Sequence, residues 1–138
     1  MPAPIIDRKP NARVGIITIG GCDPAVREAV DVLAARGIPA DYMRIRGFPF
    51  DESVEDFIKH HNFSFVVEQN RDAQLRSLLV LETSVTKDRL RSILNYGGFP
   101  LSARHVVEPV MSQVPPELHS LTTAKDSNLR TTVSDTWE

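Results

Sequence analysis

Three short stretches hold the residue types from which a site could be built. TIGGCDP sets Gly20 and Gly21 between an apolar run and a helix-like one. Glycines there can turn backbone N–H groups toward a phosphate at a helix N-terminus. YMRIRG carries Arg44 and Arg46, two planar forks able to hold a carboxylate or a phosphate through paired hydrogen bonds. EQNRDAQL, residues 68–75, is the densest polar run, with Glu68, Asn70 and Gln74.

The glycine turn is a poor phosphate cradle. Asp23 puts a carboxylate where the phosphate would sit, and Pro24 removes one N–H donor. The P-loop lysine and a full G-x-G-x-x-G are both missing. The turn reads better as a tight change of direction, with Asp23 capping the helix that follows. Two readings of EQNRDAQL stand side by side. Its side chains line a crevice at the carboxyl ends of parallel strands, or Asn70 and Asp72 make the turn and cap the next helix.

Cys22 lies near a helix start, where a thiolate is favoured. A nucleophile also needs a histidine within hydrogen-bond reach, and a small buried turn residue is the simpler reading. His60 and His61 are adjacent and diverge on a helix, which makes a poor chelate. Together with Lys59 they suit a helix C-terminus. No pair of residues has the spacing that specifies a hydrolase, kinase or transferase site.

The elements that position these residues follow from hydropathy. RVGIITIG is β-branched and apolar over Val14–Ile19, a buried strand. Val26, Ala29, Val30 and Leu33 form one helical face, with Pro24 suited to the first turn and Gly37 to the stop. ADYMRIRG alternates Tyr42, Arg44 and Arg46 against Met43 and Ile45, a second strand. A short helix follows with Val54, Phe57 and Ile58 inward and Asp51 or Glu52 at its start. FSFVVEQN is a third strand, and Leu75, Leu78, Leu79 and Glu82 mark a third helix. The β-α-β-α-β-α order predicts a three-layer α/β fold with a mostly parallel sheet and helices on both faces. KDRLRSILNYGGFPLS fits helix or strand by pattern alone. SARHVVEPVMSQV reads as a helix from Ser102, strained by Pro109.

The 138 residues are 41% hydrophobic, enough for one core. A proline-rich linker is expected over residues 1–12, the domain over 13–113, and a polar tail over 114–138. The net charge of −2 gives no general attraction for nucleic acid. No run is long enough for a membrane span, and no signal segment is evident, so the expected location is cytoplasmic. A single cysteine excludes an internal disulfide or a cysteine-rich cluster in this chain.

VGIITIGGCDPAVREAVDVL, MRIRGFPFDESVEDFI and VVEQNRDAQLRSLL, in this order and spacing, resemble the C-terminal domain shared by transketolases and thiamine-dependent dehydrogenases. Within that group they resemble the corresponding domain, core domain II, of 2-oxoacid:ferredoxin oxidoreductase alpha subunits. VVEQNRDAQL followed by YGGFPLSARHVVEPV is most similar to the 2-oxoglutarate-type branch. The resemblance covers about residues 13–112. It implies a strand over roughly Arg89–Tyr96 and a last helix from Ser102. The family usually has glycine where Ala73 stands, so Ala73 would be strained if its φ is positive.

Such enzymes convert a 2-oxoacid, coenzyme A and oxidised ferredoxin to an acyl-CoA, CO2 and reduced ferredoxin. The YPITPS-type run of the pyrimidine-binding domain and the beta subunit's GDG region do not occur in this sequence. The resemblance therefore implies a non-catalytic assembly domain with no cofactor of its own. Thiamine diphosphate, Mg and iron–sulfur clusters are expected in partner domains or subunits. The expected partners are the other domain of the alpha subunit and the beta subunit, in a homo- or hetero-oligomer. Gly20, Gly21, Arg44, Arg46, Glu68, Asn70 and Gln74 are expected to form a ligand or subunit-interface rim. The alternative is a free-standing module that binds an anionic small molecule such as coenzyme A or a 2-oxoacid.

Overall fold

The computed structural model of the chain describes residues 2–119. Strands β1 (Ile5–Asp7), β2 (Val14–Ile19), β3 (Ala40–Ile45), β4 (Phe63–Glu68) and β5 (Leu90–Leu94) form one sheet in the order β1-β3-β2-β4-β5. The last four run parallel, and β1 pairs antiparallel with β3. Helices α1 (Asp23–Ala35), α2 (Glu52–Lys59), α3 (Gln74–Glu82) and α4 (Ala103–Gln113) fill the connections. This is the expected three-layer α/β fold with a mostly parallel sheet.

Side-chain alternation sorts the core into two layers. Val14, Ile16, Tyr42, Phe65 and Val67 pack under α1 and α4, against Val26, Leu33, Val106 and Val110. Ile17, Met43, Ile45 and Val66 pack under α2 and α3, against Val54, Phe57, Ile58 and Leu79. Gly15 permits the closest approach in this second layer. A Cβ there would lie 2.6 Å from both the Phe57 ring and Ser64 Oγ. The segment that pattern left undecided is strand β5, parallel to β4, as the resemblance implied.

Helix ends follow local chemistry. Gly37, at φ 89°, lets α1 stop with Gly37 N–H on the Ala34 carbonyl and Ile38 N–H on the Leu33 carbonyl. Asp51 caps α2 by accepting from Ser53 N–H. Ser102 stands at the N-cap of α4, and its N–H donates to His105 Nδ1. The helix continues through Pro109, because Val106, Val107 and Val110 are buried on either side of it.

Two sequence expectations change. The expected linker contains β1, held to the domain by an ion pair between Asp7 and Arg27 at 2.9 Å and by Lys9 N–H on Asp41. Its three strand residues were too few to show a period. Asp23 is the first residue of α1 rather than its cap, and makes no capping bond; Arg27 and the Tyr42 hydroxyl take its carboxylate instead. Of the expected tail, residues 120–138 lie outside the described residues. Before them Val114 is buried, and Arg13 Nη1 donates to the Glu117 carbonyl.

Ala73 sits in the left-handed region, at φ 51° and ψ 47°, immediately before α3. An L side chain is disfavoured there and glycine is not. Ala73→Gly should therefore raise stability by about 0.5–1 kcal/mol, and Ala73→Val should lower it. Urea denaturation of the three proteins measures both changes.

Candidate functional rim at the carboxyl edge

The four parallel strands end on one edge, and the expected site residues all lie along it, in two separate groups. Gly20, Arg44 and Arg46 stand at the ends of β2 and β3. With Ile5, Ile19 and Ile45 they line an open cleft of about 590 Å³. Gly20 has φ 75°, so the turn after β2 uses a conformation natural to glycine. Gly21 has no such need: a Cβ there would rest 3.6 Å from Gln69 Oε1, an ordinary contact.

Arg44 is the fifth residue of β3 and Arg46 follows its last residue, and both line this cleft. Neither makes a hydrogen bond or ion pair among the described residues, and neither joins Glu68 or Asp72. Arg44 acts at longer range on Asp23. Desolvation would raise the Asp23 carboxyl, but hydrogen bonds from Tyr42 and Arg27 and the charges of Arg27 and Arg44 hold it below the usual range. Burial and the adjacent Asp23 keep the Tyr42 phenol protonated far into the alkaline range.

Glu68, Asn70 and Gln74 form the second group, and its bonds are internal. Glu68 is 3% exposed at the end of β4. Its Oε1 accepts from Leu75 N–H at 2.7 Å and from Asn70 Nδ2 at 2.8 Å, and its Oε2 accepts from Arg76 N–H at 3.1 Å. Asn70 Oδ1 accepts from the N–H groups of Asp72 and Gln74. A carboxylate and an amide thus satisfy the open donors of the first turn of α3. Of the two readings of EQNRDAQL, the structure shows the turn-and-cap one for Asn70. Glu68 adds a capping role that sequence could not assign, because it acts from seven residues away.

Cys22 is buried beneath the glycine turn. Desolvation, then the Glu68 carboxylate, push its thiol up from the ordinary value. That is the reverse of what an activated nucleophile requires. The histidine pair is also placed differently from the expectation. His60 ends α2, while His61 turns inward, 2% exposed. Its Nδ1 donates to the Phe57 carbonyl and its Nε2 meets Asp41 Oδ2, each at 2.7 Å. His61 thus does serve the helix end, but as half of a buried pair. The available signal was Asp41, an acidic residue near the start of a mostly buried strand.

Sequence reading also missed the Thr18–Tyr42–Asp23–Arg27–Asp7 chain of hydrogen bonds, which links β2, β3, α1 and β1. A second cleft, of about 340 Å³ between α2 and α3, is lined by Asp51, Glu52, Glu55, Asp56 and Glu82. Two of these are already engaged: Asp51 caps α2, and Glu55, paired with Lys59 and Ser84, is held down to about 2.

No family model and no curated protein matches the chain. Solved structures do. The fold is similar to 2-oxoglutarate:ferredoxin oxidoreductase from Magnetococcus marinus, a structure with 2-oxoglutarate, coenzyme A and succinyl-CoA bound. The TM-score is 0.72 and the identity 26%, over 81% of this chain but only 20% of that one. It also resembles, in fold alone, the alpha chain of a probable 2-oxoacid ferredoxin oxidoreductase from Thermoplasma acidophilum. There the TM-score is 0.54 and the identity 21%, over 80% of this chain and 95% of that one. The present chain spans a fifth of the Magnetococcus chain's length.

Two outcomes follow. Glu68→Ala strips a buried charged acceptor from two backbone donors and should cost about 3 kcal/mol, read by urea unfolding. Cys22 should react with a disulfide reagent at pH 8 at least about tenfold more slowly in the folded chain than in urea. Equal rates would show an accessible thiol.

Proposed function

We propose that the chain is an assembly domain of a thiamine-dependent 2-oxoacid:ferredoxin oxidoreductase, corresponding to the transketolase-C-like domain of the alpha subunit. It performs no chemical step of its own. The observation that supports this most is the likeness to the Magnetococcus enzyme, which spans most of this chain and a fifth of that one. A fold repeated as one part of a longer enzyme chain is a domain with neighbours. The 2-oxoglutarate-type branch is favoured on the same ground.

The residues present do not fit the cofactors such an enzyme uses. Among the described residues no group of three or more His, Cys, Asp or Glu could hold a metal ion. An iron–sulfur cluster takes several thiolates, and the chain has one cysteine, which is buried. At the glycine turn, the Asp23 carboxylate opposes a diphosphate. Thiamine diphosphate, Mg and the clusters are accordingly assigned to the other domain of the alpha subunit and to the beta subunit.

The domain's part is to present its carboxyl rim to those neighbours. Phe48, Tyr96 and Phe99, which follow β3 and β5 on that edge, are 53%, 61% and 83% exposed. Large exposed aromatic groups on a small domain mark a contact surface. Gly20, Gly21, Arg44 and Arg46 continue the rim, and Glu68, Asn70 and Gln74 hold its shape. The domain proper is assigned to residues 13–113, with β1 as an added edge strand. No helix among the described residues is long and apolar enough to cross a membrane, and a cytoplasmic location goes with the proposal. The second reading, anion binding, is favoured by the unpaired Arg44 and Arg46.

Affinity purification of the tagged chain from the cells that make it tests the proposal. The expected result is recovery with subunits that together show 2-oxoacid- and CoA-dependent reduction of a viologen dye. The chain by itself should show none. Turnover by the purified chain alone, or its recovery as a lone monomer, would overturn the reading.

A further inference from the structure

The cleft at the ends of β2 and β3 has a composition that the fold does not require. Most buried polar side chains elsewhere are paired to the protein itself: Glu68 to the start of α3, Asp41 to His61 and Lys9, Tyr42 to Asp23 and Thr18, with Ser64 Oγ and His119 Nε2 left without a partner. Arg44 and Arg46 differ. Arg44 lies in β3 and Arg46 just past its end, both line the cleft, and no carboxylate among the described residues bonds to either. Asp23, the acidic side chain that feels Arg44, has its two oxygens engaged by Tyr42 and Arg27. The cleft therefore keeps a net positive character.

Its lining is partly apolar. Ile5 and Ile19 are 40% and 41% exposed, and the buried Ile45 borders the cleft beside them. Its volume of about 590 Å³ lies within the range of small-molecule sites, which combine apolar walls with a few convergent polar groups. Two guanidinium forks lining one cleft are suited to an oxyanion, since each can donate a pair of parallel hydrogen bonds.

We propose that this cleft binds a small molecule through its phosphate or carboxylate, held by Arg44 and Arg46, with a short apolar body against Ile5 and Ile19. The proposal rests on the anion-binding reading of the same two arginines and gives it a site, which shares the rim assigned to assembly but needs no partner chain to form. Its failure would leave the assembly reading intact, and the failure of that reading would leave this one intact.

Titration of the full ¹⁵N-labelled chain with n-butyl phosphate, and separately with pentanoate, tests it by NMR. Sodium chloride at matched ionic strength is the control. The expected result is saturable movement of the Gly20, Ile45 and Arg46 amide signals with at least one probe and none with chloride. The preferred probe identifies the oxyanion. R44Q/R46Q should weaken that binding at least tenfold while signal dispersion is kept, and R46Q alone, at an exposed position, should weaken it by a smaller factor. Movement that does not saturate, that chloride reproduces, or that survives unchanged in R44Q/R46Q would overturn the proposal.

Discussion

A parallel sheet covered by helices on both faces leaves few places for function. The three central strands β2, β3 and β4 supply Val14, Ile16, Ile17, Met43, Phe65, Val66 and Val67 to two apolar layers, each fully buried. Burial on this scale is the main favourable term in the fold. It also removes both sheet faces from contact with any ligand or partner. What remains is the edge where the strands end and the chain turns into helices, and the glycines, arginines and exposed aromatics are found there.

The same constraint explains the buried polar groups. A carboxylate placed under a helix is costly unless its oxygens are bonded. Glu68 meets that requirement through the first turn of α3, and Asp41 through His61, Lys9 and, at longer range, Arg8. These interactions fix the ends of helices and the edge strand. They are consumed by the structure and are not available to a substrate. Arg44 and Arg46, at the end of β3, are the contrast: they line a cleft and bond to no carboxylate among the described residues.

Much of the fold was legible in the sequence. Apolar β-branched runs, alternation in β3 and the 3.6 period placed β2, β3, β4 and the first three helices, because each has one or two buried faces, and Gly37 and Asp51 mark a helix stop and a helix start. The segment around β5 was ambiguous because LRSIL is too short for its period to separate strand from helix, and family resemblance decided it. β1 was hidden in a polar, proline-rich stretch, since an edge strand needs no apolar run. The rim was legible as a set of polar residues near strand ends. Its division was not. Whether Glu68 lined a crevice or held α3, and whether Asp23 capped α1 or joined Tyr42, depended on contacts across the chain. The His61–Asp41 pair was out of reach for the same reason, as its members are twenty residues apart.

On the proposed reading the domain contributes by shape and contact, while cofactors in neighbouring parts supply the difficult chemistry. The central claim is that its carboxyl rim is the face turned toward those neighbours. Hydrogen–deuterium exchange on the chain alone and within its native complex tests this most directly. The account predicts slower exchange in the complex over residues 46–50 and 95–100, with little change on the outer surfaces of α1 and α4. Protection confined to those helices, with the rim exchanging as fast as in the free chain, would contradict it.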